Sequence, residues 1–318
     1  MNARRGARAL PGAGGPSRRW LRRGMVIAVF VIGAAMLAHW FAPAPRQPKS
    51  YLATEVLVLG DSQLSFGAGP VLSRFFGDMT RQCASAMTLD ATTRRLLADK
   101  RFAMIGTRST SLQSWTTSAG RAWQLLCHRD KKWGVNASAW GTVKPANKRY
   151  VQIGEGAAFQ VCRPGATPLQ QLFATGYYAP ELLMVFVGGN GAARLAADKR
   201  AAKRDVRRLI DTLPADTGCI FMMTAPIFRR PDNDTRAVAQ GNLRAAFAEH
   251  NGRCSFVDGH TSDTRAAIEG RQHFFRRDHA GAVKDPYHAN EAAAERFLAL
   301  RRPALCQALI TQLLNYAQ

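Results

Sequence analysis

Val56-Leu57-Val58-Leu59-Gly60-Asp61-Ser62 decides how this chain is read. The four apolar residues have the length of a buried strand. Gly-Asp-Ser ends the run, and beyond it Phe75, Phe76, Met79 and Cys83 recur at helical spacing. A serine where a buried strand stops and a helix is about to start presents its hydroxyl among unpaired backbone N–H groups. Ser62 is therefore a candidate nucleophile, provided that other segments supply a base and an oxyanion hole. The last turn before the C-terminal helices offers the base, in Asp285-Pro286-Tyr287-His288.

Further along, apolar runs of strand length alternate with helix-length patterns. Strands are predicted at Val56–Leu59, Phe102–Ile105, Leu182–Val187, Cys219–Thr224 and Ser255–Val257. Helices are predicted at Thr92–Lys100, at Ala193–Leu213 as one long charged amphipathic segment, and at Arg236–His250. Asn290 is read as the cap of a helix ending near Arg301, and Pro303 as the start of a last one. Apolar strands alternating with helices make an α/β domain, a parallel sheet covered on both faces. Active sites of such sheets lie beyond the carboxyl ends of the strands. Ser62, Gly106 and Asn190 all fall at strand ends in this reading.

One segment, about 120–180, breaks the alternation. It carries Trp123, Trp133 and Trp140 without clear periodicity and reads as an insertion at the active edge. Exposed indoles there would stack on sugar rings; buried ones would pack the insertion onto the domain.

The first fifty residues read as an address. Residues 1–50 hold eight Arg and one Lys and no acidic residue, so they carry +9 of the formal net charge of +22. Residues 24–42, GMVIAVFVIGAAMLAHWFA, lack any Asp, Glu, Lys or Arg and have bilayer-spanning length. The arginines before them place residues 1–23 in the cytoplasm and the rest outside, on the periplasmic side of an inner membrane. The alternative is a cleaved signal peptide, with Ala42-Pro43-Ala44 as the cut, which the surrounding prolines disfavour. Residues 43–54, proline-rich at first, read as a linker to a catalytic domain at 55–318.

Outside the first fifty residues the charge is still +13. A basic surface suits an anionic partner, although scattered Lys and Arg are more often simple solvation. No zinc-finger spacing, RNA-binding aromatic signature or basic repeat supports a nucleic-acid partner. Six cysteines in an exported domain point to disulfides. Cys219 with Cys254, on neighbouring strands, and Cys127 with Cys162, across the insertion, are the pairings suggested. Buried thiols are the alternative. No CxxC pair or other ligand set calls for a metal, and no cofactor is expected.

Gly60-Asp61-Ser62, Gly106, Gly189-Asn190 and Asp285-x-x-His288 together, in this order, resemble the blocks of the SGNH/GDSL hydrolase family. The resemblance covers most of residues 55–302 and implies a flavodoxin-like three-layer α/β/α sandwich. It implies Ser62 as nucleophile, His288 as general base and acid, and Asp285 as the residue that fixes the imidazole tautomer. The Ser62 and Gly106 backbone N–H groups and the Asn190 side-chain amide would form the oxyanion hole. Asp61 is read as bracing the loop. Two positions depart from the family pattern: Leu64 stands where Ser or Thr is usual, and Gly191 where Asp follows the block-three Asn.

Exported members of the family commonly remove O-acetyl groups from polysaccharides, so the expected partner is an acylated polysaccharide near the membrane. A lipid ester is the rival substrate. A polysaccharide O-acetyltransferase using the same residues, and a non-catalytic binding protein, are the alternative functions.

Overall fold

The structure is a computed structural model that describes residues 54–117, 135–141, 151–153, 166–174 and 178–316. The tail at 1–23, the anchor at 24–42, nearly all of the linker, Cys127, Cys162, Trp123 and Trp133 lie outside the described residues. Among the described residues no helix is long and apolar enough to cross a membrane.

Five parallel strands form the centre of the domain: β1 (Val56–Gly60), β2 (Phe102–Thr107), β5 (Leu182–Phe186), β6 (Gly218–Met222) and β7 (Ser255–Val257). The full sheet runs β4-β3-β2-β1-β5-β6-β7. Here β3 (Val135–Gly141) and β4 (Val151–Ile153) come from the segment read as irregular. Both pair antiparallel, β3 against β2 and β4 against β3, so the sheet is mixed and the insertion extends it. Antiparallel strands need no covering crossover helix, which is why this stretch carries no strand–helix alternation.

Strand pleating divides the core in two. Val56 and Val58 of β1, with Met184, Phe186, Ile220 and Met222, face one layer of helices. That layer contains α1 (Gly69–Gly77), α2 (Met79–Ala84), α3 (Ala91–Leu97) and α10 (Glu291–Tyr316). Leu57 and Leu59, with Leu183, Val185, Cys219 and Phe221, face the other. That second layer is built from α4 (Leu112–Thr116), α5 (Pro168–Ala174), α6 (Ala192–Ala197), α7 (Lys199–Thr212) and α8 (Arg230–Ala248).

Three helix boundaries differ from expectation. The segment Ala193–Leu213 is two helices, because Asp198 ends α6 in extended backbone and caps α7 by accepting from the Arg200 N–H at 2.8 Å. α8 starts earlier than Arg236, with Pro231 in its first turn. α10 runs through Pro303 without ending. An internal proline costs about 3 kcal/mol. Phe297 and Leu298 before it, and Leu305 and Leu309 after it, are all buried in one core. At about 1.5–3 kcal/mol each, that burial outweighs the lost bond.

Between β7 and α10 come a short helix α9 (Ser262–Ile268) and a hairpin of β8 (Phe275–Arg277) and β9 (Val283–Ala289). Two disulfides join described residues. Cys219 meets Cys254, as the sequence suggests, with a Cα separation of 4.4 Å. Cys83 meets Cys306, tying α2 to α10 across 223 residues of sequence.

Candidate active site

The winding of the parallel strands reverses between β1 and β5, since β2 lies on one side of β1 and β5, β6 and β7 on the other. A crevice opens beyond the carboxyl ends of two strands at such a point. Ser62 follows β1 and Asn190 follows β5, so both candidates stand at its mouth.

The turn carrying Ser62 is tied down by its neighbour Asp61. The Asp61 N–H donates to the Phe186 carbonyl at 3.3 Å, and the Asp61 carbonyl accepts from the Ser65 N–H at 3.2 Å. Its Oδ1 accepts from the Gln63 N–H at 2.8 Å. The backbone then passes through a wide π-helical turn, Leu64–Ala68, into α1. Ser62 is half-buried, whereas Asp61 is buried. Burial pushes the Asp61 carboxyl up to about 6, against the N–H groups of Gln63 and Gly189 and the charges of Arg236 and His288. Asp61 braces the loop, as expected of it.

Asp285 and His288 are brought together. Asp285 Oδ2 lies 2.8 Å from His288 Nδ1, and its Oδ1 accepts from the N–H groups of Tyr287 and His288 at 3.2 Å each. Burial raises the Asp285 carboxyl, but these hydrogen bonds and the imidazole hold it below its ordinary value. The pair was expected in a turn and lies instead in β9. There Phe275 pairs with Ala289 while Arg276 pairs with Asp285, so Pro286, Tyr287 and His288 bulge from the ladder. Proline has no N–H to donate, and a bulge re-aims side chains beside it.

Two contacts set the Ser62 turn against this bulge. The Phe66 ring lies on the His288 imidazole with centroids 4.3 Å apart. Gln63 Nε2 donates to the Ala225 carbonyl at 3.2 Å and reaches the Tyr287 carbonyl at 3.5 Å. On the Phe66 ring also sits the Arg108 guanidinium, 4.8 Å from its centroid.

The two remaining candidates differ. Asn190 Nδ2 donates to the Thr110 carbonyl at 3.0 Å, which fixes its amide across the loop after β2 and uses one of its two amide hydrogens. Gly106 was expected at a strand end. It lies inside β2, opposite Gly60 on one side and Ser138 on the other, because β2 runs on to Thr107. Its carbonyl accepts from Ser65 Oγ at 2.6 Å. A Cβ at this position would stand 2.7 Å from the Ser65 nitrogen, so glycine is needed for the Ser62 turn to approach the sheet. The loop that follows β2 is Arg108–Ser111, where Ser109 has a φ of 61°.

Phe66, Gln63 and Arg236 were not singled out from the sequence. A signal for Arg236 exists: Asn233, Arg236, Ala239, Gln240 and Leu243 share one face of α8, so an arginine occupies a core position.

Comparisons of the chain with protein-family models, with curated proteins and with solved structures return no match.

Proposed function

We propose that the chain is a serine esterase that removes O-acetyl groups from a polysaccharide outside the cytoplasm. The observation that carries this reading is the Asp285–His288 pair, 2.8 Å apart, with its imidazole against the helical turn that follows Ser62. The strand order around β1 is that of a flavodoxin-like sandwich, which supports the resemblance to SGNH/GDSL hydrolases.

In this mechanism Ser62 Oγ attacks the ester carbonyl while His288 Nε2 takes its proton. Asp285 keeps the Nδ1–H tautomer and stabilises the imidazolium. The Ser62 N–H and the second amide hydrogen of Asn190 donate to the oxyanion, each worth about 3 kcal/mol in an enclosed site. Collapse expels the alcohol, which takes the proton from His288. Water, activated by the same imidazole, then releases acetate and restores Ser62.

The test is hydrolysis of a small activated acetyl ester by the full chain, followed by acetate release from acetylated polysaccharides. Ser62→Ala and His288→Ala are each expected to abolish turnover while folding normally. Full activity in both folded variants would overturn the reading. Adding a sugar acceptor and analysing products separates hydrolysis from acetyl transfer.

A further inference from the structure

Among the described residues the exposed large aromatic residues are Phe66 and Tyr287, and both stand beside His288. Phe66 lies on the imidazole, and Tyr287, 44% exposed, precedes it in β9. A single exposed ring needs no explanation. Two of them, on the segments that follow Ser62 and carry His288, mark a contact surface.

Each ring engages an arginine. The Arg108 guanidinium lies 4.8 Å from the Phe66 centroid. Arg229, the residue before α8, donates from Nη1 to the Tyr287 hydroxyl at 3.2 Å. Arg108 comes from the loop after β2 and Arg229 from the segment after β6, so separate parts of the chain converge here. Elsewhere on the surface arginines meet carboxylates: Arg74 with Glu291 and Glu295, Arg204 with Asp198, Arg244 with Asp258. A carboxylate neutralises the guanidinium it holds. An aromatic ring or a phenol orients it and leaves its charge in place. The acid nearest this pair is Asp232, with Oδ2 3.6 Å from Arg229 Nε.

The hairpin that carries His288 adds charge of the same sign. Arg276, Arg277 and Lys284 are exposed on it. Of its acids, Asp285 is engaged by His288, and Asp278 accepts from the N–H groups of Ala280 and Ala282 in its own turn.

An oriented guanidinium offers a carboxylate two N–H groups in one plane. The Tyr287 hydroxyl accepts from Arg229 and keeps its own hydrogen to donate. These groups flank the imidazole that serves Ser62 in the proposed mechanism. An anion held by them is therefore carried by the molecule whose ester is cleaved. On a polysaccharide, the group that fits is the carboxylate of a sugar acid.

We propose that Arg108 and Arg229 are specificity residues that bind carboxylates of an acidic, uronate-type polysaccharide and so set its O-acetyl groups over Ser62. The proposal rests on the esterase reading for its consequence in turnover; the binding of the anion does not.

Two measurements on the full chain test it. The first compares an acetylated polyuronate with the same polymer after methyl esterification, which removes the charge and keeps the acetyl groups. The wild type is expected to favour the charged polymer about tenfold in kcat/KM, mainly through KM. Sodium chloride should erode that preference. Arg108→Gln and Arg229→Gln are each expected to reduce the ratio of the two kcat/KM values about fivefold, and the double variant to abolish it. A disturbance of Phe66 or of the imidazole would affect both polymers alike and cancels in the ratio. The second is calorimetric binding of a polyuronate without acetyl groups, expected to weaken about tenfold in the double variant. Sedimentation with vesicles containing phosphatidylglycerol accompanies it, since a lipid surface would supply anions too.

A wild type that treats the two polymers equally, or variants that keep its preference, would overturn the proposal. So would a double variant that loses the vesicles and keeps the polyuronate. If the double variant does not fold, the single variants decide by the same ratio. A wild-type chain with no turnover of either polymer or of a small acetyl ester would sink the esterase reading instead. The calorimetry would then still decide the anion site, and equal binding by wild type and variants would reject it.

Discussion

Phe66 covers the His288 imidazole at a centroid distance of 4.3 Å, although the two residues belong to opposite ends of the domain. Phe66 is 38% exposed, so its ring serves the neighbour it touches more than the core. Aromatic pairs of this kind are worth about 0.5–1.5 kcal/mol. Phe66→Ala is expected to lower kcat about three- to tenfold, as the imidazole samples more orientations. The melting temperature should change little. Steady-state kinetics with a melting curve checks both, and Phe66→Tyr should retain wild-type turnover.

Asp285 accepts three hydrogen bonds from its own bulge, one of them involving the His288 ring. Asp285→Asn preserves the shape but presents an amide to Nδ1, favouring the wrong tautomer. A loss in kcat on the order of 10⁴ is expected, with the fold retained. Single-turnover kinetics and circular dichroism check it.

Two buried groups give stability opposite pH slopes. His260 is held neutral in the fold, with its value pushed down to about 3 by burial and then by Arg236 and Arg265. Its folded value is lower than its unfolded one, so its contribution is complete above about 6.5 and is lost as pH falls toward 3. The full span is on the order of 5 kcal/mol. Asp61 is raised to about 6 by burial, so its contribution is complete below about 3.8 and is lost as pH rises to about 6, on the order of 3 kcal/mol. His260→Leu should flatten the acid limb of a urea-unfolding series. Asp61→Asn should gain on the wild type as pH rises from 4 to 6. Parallel slopes in variant and wild type would contradict either assignment.

The Cys83–Cys306 bond closes a loop of most of the domain. Chain entropy alone makes such a bond worth about 2–5 kcal/mol. The Cys83→Ser/Cys306→Ser double variant is expected to melt about 5–15 °C lower than the wild type. Calorimetry under non-reducing conditions checks this.

The parallel core was legible because its strands are continuous apolar runs, and burial on both faces leaves no alternation to misread. Ser62, Asp285 and His288 were legible because each falls at a break in such a pattern. The strands β3 and β4 were not, since an antiparallel extension carries no helix between its strands. Gly106 was misplaced by its local pattern: the strand passes through the glycine to Thr107, and the residue's requirement comes from Ser65, which is 41 positions away in sequence. Arg236 was hidden for a similar reason. Its position on α8 marks it as a core residue, but Gly189, whose missing side chain leaves room for the guanidinium, is brought against it only by folding.

The bulge bearing His288 belongs to the last strand and Ser62 to the end of the first. Contacts between segments so distant in sequence bring slow closure, because the intervening chain must already be ordered. Under the reading proposed here, a nascent or truncated chain holds a serine with no base and is chemically inert. Recovery of turnover during refolding would then mark the arrival of the C-terminal hairpin, and should lag behind the far-ultraviolet signal of the helices.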